Sequence, residues 1–197
     1  MENQPKRIIA IVGMAGSGKS EVVDYLQNKY RWPNIYFGDV IFEEMKNEGL
    51  EENQNNERIT REKLRVEEGM GVCASRSLEK IKQAQEGSNV VLIESLYSWD
   101  EYKILKREFG DILKVVAIYS SPALRFSRLQ NRPIRPLRTF EEFEKRDWTE
   151  IENTAKGGPI AVADYTVVNA STLEELRRQV DQVIEREGGG NNIGVKI

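Results

Sequence analysis

Between Gly13 and Ser20 the chain reads Gly-Met-Ala-Gly-Ser-Gly-Lys-Ser, the spacing G-x-x-x-x-G-K-[ST]. It stands between a β-branched apolar run, Arg7 to Val12, and a segment, Glu21 to Tyr30, in which Val22, Val23 and Leu26 recur with helical spacing. With average residue usage the four fixed positions coincide by chance in roughly 1% of chains this long, so the strand-then-helix context is what makes the pattern informative. Glycine lets consecutive backbone N–H groups turn inward as an anion nest at the positive end of a helix, where a Cβ would obstruct a phosphate. Gly13, Ala15, Gly16, Ser17 and Gly18 are expected to form that cradle, with Lys19 reaching the β- and γ-phosphates and the Ser20 hydroxyl ligating Mg2+. The expectation is a nucleoside triphosphate site; a fortuitous glycine turn is the alternative. A loop of this kind constrains the fold, because it works where a parallel strand hands over to a helix.

Five short apolar runs alternate with helical stretches: Arg7–Val12, Ile35–Phe37, Asn89–Glu94, Lys114–Tyr119 and Tyr165–Val168. This is the pattern of an α/β fold, a parallel five-stranded sheet with helices on both faces. At 197 residues the expectation is one domain, residues 1–187, followed by a flexible Gly/Asn-rich tail over 188–197. The charged stretch 39–86 carries Leu64, Val72, Leu78 and Ile81 at spacings that suit two or three helices, and is too long for a plain crossover. It reads as an acceptor-binding insert, with Glu51 to Glu57 as a polar loop within it.

Composition narrows the chemistry. The net charge of −3 gives no general attraction to nucleic acid or an anionic membrane. The single cysteine, Cys73, has no intramolecular partner and reads as a small core residue. The polar start MENQPKR leads straight into the first strand, and no apolar run approaches the ~18 residues of a membrane span, so a cytoplasmic protein is expected. There is no histidine, which leaves carboxylates, Lys, Arg and hydroxyls for catalysis. Such a set suits phosphoryl transfer, which rests on positioning and charge neutralisation.

Beyond the loop, Asp39 follows the second run, on the rim where parallel sheets bind ligands; it reads as a proton acceptor or holder of a magnesium-bound water, or as the N-cap of a helix over Val40–Asn47. Glu94 ends the third run and reads as a magnesium or substrate ligand, or as a plain strand-end residue. Arg125, Arg128 and Arg132 recur at one helical face and lead into a Pro-punctuated segment with Arg135, Arg138 and Arg146, which reads as a lid over 132–148. Arg128, Arg132 and Arg146 are the expected catalytic arginines, since a guanidinium fork matches two phosphate oxygens. Arg58, Arg61, Arg65 and Arg76 are set against ordinary helix pairs, Glu62 with Arg65 and Glu79 with Arg76, Arg65 being the best substrate-binding exception. Gly157 to Asp164 and Asn169 flank the last strand; the backbone there reads as an adenine-pocket wall or a plain turn.

With these residues in place the chain resembles the nucleoside monophosphate kinase branch of P-loop proteins, and more narrowly dephospho-CoA kinases and archaeal adenylate-kinase-related proteins. The resemblance rests on GMAGSGKS, Gly38-Asp39, Arg-Phe-x-Arg-Leu-x-x-Arg at 125–132, Glu142-Phe-x-x-Arg146-Asp147 with Glu150, and Ala163-Asp164-Tyr-x-Val-x-Asn169. It implies a three-layer P-loop fold with sheet order 2-3-1-4-5. It further implies transfer of the γ-phosphate of ATP, with Mg2+, to a small acceptor, by a monomer or homodimer with no nucleic-acid or membrane partner. Glu94-Ser95 and Tyr97 depart from the Asp-Gly and following Arg common in related chains, and residues 53–64 look short, so the acceptor is what the resemblance leaves open. The competing reading is a P-loop ATPase or GTPase switch acting on a macromolecule.

Overall fold

The computed structural model describes residues 5–133 and 135–188. Of the tail expected over 188–197, residues 189–197 lie outside the described residues. Strands β1 (Arg7–Val12), β2 (Asn34–Tyr36), β3 (Val90–Glu94), β4 (Leu113–Tyr119) and β5 (Tyr165–Val168) form one parallel sheet in the order β2-β3-β1-β4-β5. The central strand β1 is apolar at nearly every position because both of its faces are covered. Ile8, Ala10 and Val12 face one helical layer and Ile9 and Ile11 the other, the period-2 consequence of the pleat.

Helices α1 (Lys19–Tyr30) and α9 (Leu173–Arg186) cover one face through Val22, Val23, Leu26, Leu176, Val180 and Ile184. The other face carries α2 (Asp39–Asn47), α3 (Gln54–Glu68), α4 (Val72–Gly87) and α5 (Trp99–Phe109), with Ile160 of the short α8 (Gly157–Ala161) packed against them. The result is the three-layer α/β architecture, and 39–86 is three helices, α2 to α4. The expected polar loop at 51–57 is only partly a loop. Asn53 accepts a hydrogen bond from the Asn56 N–H at 3.0 Å and starts α3 at Gln54, because an Asn side chain satisfies an otherwise orphaned helix donor.

Helix α6 (Pro122–Gln130) leaves the end of β4, and α7 (Phe140–Thr154) begins after an irregular stretch. Thr139 caps α7 through a reciprocal capping box with Glu142, and Phe143 packs with Ala15 and Leu129 in a small satellite core under the loop. Asp39 is the first residue of α2 rather than its cap; Gly38 holds that place without a side-chain bond. Chain direction reverses across β1: α1 leads towards β2 on one side and the later crossover reaches β4 on the other, so the loop after β1 sits at the switch point of the sheet.

Leu92 of β3 is fully buried between β1 and β2. Leu92→Ala should cost about 2–5 kcal/mol, read as a lower urea midpoint with an unchanged slope.

Candidate active site

Gly13, Gly16 and Gly18 take φ values of 146°, 79° and 100°, a region L side chains rarely enter. Behind them the protein is close. A Cβ on Gly13 would lie 2.5 Å from the Ile118 carbonyl, one on Gly16 2.8 Å from the Arg125 carbonyl, and one on Gly18 2.3 Å from Asn169 Nδ2. The expectation gave these glycines to the ligand; the structure adds a second reason, since it is β4, α6 and Asn169 that a Cβ would strike. The loop is pressed against the core on that side.

A backbone that turns its N–H groups inward turns carbonyls outward, and these need donors when water is excluded. Three consecutive carbonyls find them. Arg125 Nη1 donates to Ala15 O at 3.2 Å, Arg128 Nη1 to Gly16 O at 3.4 Å, and Asn169 Nδ2 to Ser17 O at 2.9 Å. Ser120 Oγ also donates to Ser17 O, at 3.2 Å. The donors lock one another: Arg128 Nη1 reaches Ser120 Oγ at 2.9 Å, and its Nη2 bonds both oxygens of Asn169 at 3.2 Å. Arg125 is also clamped by both carboxylate oxygens of Asp147, which ties α7 to the loop.

This arrangement revises several expectations. Arg128, expected as an arginine closing over phosphates, bonds the Gly16 and Asn169 carbonyls and the Ser120 and Asn169 side chains, and Asn169, expected beside the nucleotide, braces the loop from behind. The face shared by Arg125 and Arg128 is real, but α6 ends at Gln130, so Arg132 leaves it and is exposed. Arg138 is exposed as well, its N–H held by Glu142 at 2.7 Å, while Arg135 pairs with Glu57 of α3 at 2.8 Å. Gly157 to Ala161 is a short helix in which Gly158 packs against Trp99, since a Cβ there would lie 2.7 Å from the indole; it is core packing rather than a turn.

Lys19 is half-buried and donates to the Met14 carbonyl at 3.1 Å. Desolvation, then the positive charge of Lys156, push its pKa down to about 7; Arg146 acts the same way, and Glu150 and Glu94 oppose them. Glu150 sits between two cations, Arg146 Nε at 3.2 Å and Lys156 Nζ at 2.6 Å. Burial alone would raise the Glu150 pKa, but these partners outweigh it and hold the carboxyl below its usual range. Lys156 is 4% exposed and its ammonium lies 4.3 Å from the centre of the Tyr97 ring. Arg146 is thus a charged neighbour of Lys19 and a partner of Glu150, whereas Lys156 was not singled out: an isolated Lys after a helix carries no periodic signal.

Ser20 is exposed in the first turn of α1, and Glu94 ends β3 opposite Ile11 of β1, accepting from Asn34 Nδ2 at 3.1 Å. Among the described residues no group of three or more His, Cys, Asp or Glu side chains converges as a metal cage. One hydroxyl and one carboxylate are the donor set that suits an ion carried in on phosphates, and to that extent Ser20 and Glu94 fit Mg2+.

Beside this cluster lies a cavity of about 40 Å³, lined by Tyr36, Gly38, Phe42, Arg61, Arg65 and Tyr97 among others. Arg65 does not pair with Glu62, which goes to Arg58, and Arg76 bonds Glu44 and Glu68 rather than Glu79. Burial lowers the Arg65 pKa, and the negative charge of the buried Glu101 opposes it. Cys73 lines the same wall, its thiol pushed up to about 12 by burial and thus inert. Asp39 is not among the lining residues. It is exposed on α2, raised in pKa by desolvation, with Lys80 and Glu43 as its charged neighbours, because one residue past Gly38 the helix has turned the side chain off the cavity.

A family model described as an AAA domain matches residues 9–149. A UPF0200 protein of Thermococcus onnurineus is 35% identical over 91% of this chain and 97% of its own length. Among solved structures, TT1252 of Thermus thermophilus superposes with a TM-score of 0.62 at 18% identity, over 92% of this chain and 98% of that one. A shikimate kinase of Bacteroides thetaiotaomicron does so at 0.57 and 18% identity, over 91% and 97%. At that identity the likeness speaks for the P-loop kinase fold alone.

The Lys19 shift has a sign that stability reports. In the unfolded chain this lysine keeps its proton up to its ordinary pKa of 10.5, whereas in the fold it loses it near 7. Between those values the unfolded state holds more protons, so folding stability gains from this group as pH rises. Lys19→Met should flatten the rise in stability between pH 7 and 9, checked by urea unfolding without nucleotide. Arg125→Met should cost about 3–5 kcal/mol at any pH in that range, because it strands Asp147.

Proposed function

Because the chain belongs to the UPF0200 family, with an AAA domain over residues 9–149, we propose that it is an ATP-dependent phosphotransferase acting on a small acceptor. The observation that carries this reading is a shared wall. Tyr97 lines the cavity and carries Lys156 over its ring, and Lys156 is in turn the strongest charged neighbour of Lys19 in the loop. Donor and acceptor groups thus bracket one point, an arrangement that a switch acting on a macromolecule does not need. The shikimate kinases that share the fold are named for a small-molecule acceptor, which supports the class and not the substrate.

In this reading the loop amides and Lys19 grip the β- and γ-phosphates of ATP, and Ser20 and Glu94 hold Mg2+. When bound, the ion would supply charge neutralisation to the phosphates that Ser20 and Glu94 hold it against. As the acceptor oxygen bonds to the γ-phosphorus, the bond to the β–γ bridging oxygen breaks and its electron pair stays on ADP. Arg146 offsets the charge of the migrating group. Arg128 and Asn169 act through the loop they brace, as positioning residues.

The acceptor follows from what the cavity presents. Its two carboxylates are engaged, Glu57 with Arg135 and Glu101 with the N–H groups of Tyr97 and Ser98 at 2.8 Å, and Asp39 is outside. A hydroxyl nucleophile must lose its proton, whereas a phosphate oxygen is already anionic. Arg61 and Arg65 suit such an acceptor, so a nucleoside monophosphate is favoured over the ribose hydroxyl of dephospho-CoA. A cavity of about 40 Å³ holds only a few waters, so binding has to part α2 and α3 from the stretch that carries Arg135.

Purified protein with Mg-ATP should phosphorylate at least one member of a nucleoside monophosphate panel, followed by chromatography. Asp39→Asn should leave kcat within about 2-fold, and Arg65→Ala should raise the acceptor KM by about 10-fold or more. A loss of ~10²–10⁴ in the Asp39 variant would assign a hydroxyl acceptor instead. No transfer to any nucleotide or to dephospho-CoA would end the kinase reading.

A further inference from the structure

The fit between Glu150 and its neighbours is unbalanced. Three cations, Lys19, Lys156 and Arg146, crowd a region in which Glu150 and Glu94 are the carboxylates acting on Lys19. Glu150 is shared by two of them, so no neutral pair forms. Desolvation holds the Lys156 pKa below its usual range even with Glu150 at 2.6 Å. A lysine whose only task was to fasten the end of α7 would pair with one carboxylate at a rim where water shares the charge. Here it is 4% exposed, beneath an aromatic face.

The chain bends to put it there. Ala155 adopts a left-handed conformation, φ 50°, which ends α7 and folds Lys156 back so that its own N–H bonds Glu150 O at 3.3 Å. A non-glycine residue in that region costs of order 1 kcal/mol or more, and such strain persists where surroundings enforce it. Gly158 follows, seated against Trp99 of α5. The stretch between β3 and α5 supplies the other side through Tyr97, whose hydroxyl accepts from Ser95 Oγ at 2.9 Å. Lys156 is therefore held between the phosphate loop and the cavity by elements on both sides.

We propose that Lys156 is a further catalytic cation of the phosphotransferase: it leaves Glu150 to donate hydrogen bonds to a non-bridging oxygen of the migrating phosphoryl group, and Glu150 is the positioning residue that holds it ready. The proposal rests on the phosphotransferase reading. No proton changes hands in this step; the ammonium exchanges one anionic partner for another, while the bonds at phosphorus form and break as given above. A cation whose partner is present before the reaction needs no search for its place, and it acts where charge develops. Tyr97 keeps the ammonium company during the exchange, because a π face stabilises a cation without competing for it as a carboxylate does.

The test uses the whole chain with Mg-ADP, with and without aluminium fluoride as a mimic of the migrating phosphoryl group, followed by calorimetry. In the native protein aluminium fluoride should tighten ADP binding. Lys156→Met should bind ADP within about 3-fold of native yet lose the aluminium-fluoride gain by ~10² or more, and Lys156→Arg should recover part of it. Glu150→Gln should lose part of the gain, less than Lys156→Met, because Lys156 remains but is no longer held ready; an undiminished gain there overturns the positioning role of Glu150. Retention of the full gain in folded Lys156→Met, or an equal loss for ADP with and without the mimic, overturns the role of Lys156 and leaves the phosphotransferase intact. Absence of any gain in the native protein overturns both.

Discussion

Three main-chain carbonyls in a row, those of Ala15, Gly16 and Ser17, are held by Arg125, Arg128 and Asn169, and the site exists because of that contact. Anion-binding loops are usually considered from their concave face, where the amides point. The convex face has the harder problem, because outward carbonyls pressed on a core have no water to bond. Helix α6 solves it with two guanidinium groups three residues apart, and the end of β5 solves the last position with an amide side chain. Fixed donors behind the loop fix the amides in front of it, which is what a preorganised site requires. Asp147 then links α7 to the same network, so the helix bearing Arg146 and Glu150 is referenced to the loop.

The second organising constraint is charge held out of water. Lys19, Lys156 and Arg146 raise each other's cost, and Glu150 limits that cost without removing it. In the proposed reading a polyphosphate relieves this like-charge repulsion on binding. Arg65 and Arg61 stand in a small cavity, one of whose lining residues, Glu57, pairs with Arg135. The two regions meet at Tyr97, which lines the cavity and carries the Lys156 ammonium over its ring.

Much of the fold was legible. Four of the five strands differ from their expected limits by at most one residue, and β2 is displaced by one towards the N-terminus, because continuous β-branched runs between helices have few other ways to be buried. The glycine loop between β1 and α1 and the helical character of 39–86 were legible for the same reason: they are local patterns. Individual roles were less so. Asp39 and Gly38 are neighbours in sequence, yet one helical step separates the cavity wall from the exposed surface. Arg128 and Arg132 look equivalent in a string of arginines, but α6 ends between them. Asn169 and Lys156 had nothing periodic to mark them; each matters through a partner more than a hundred residues away or through a turn at Ala155.

From the order of its residues alone this chain commits to a parallel sheet, to a glycine loop at the end of the first strand, and to a lysine and a hydroxyl entering the following helix, since these depend on backbone freedom and short-range spacing. Which arginine braces the loop and which stands near Lys19, where Asp39 points, and which lysine joins Lys19 were decided only by packing. The reason is that a side chain's role is set by what desolvates and partners it, and those groups are brought together by the crossovers of the sheet rather than by their separation along the chain.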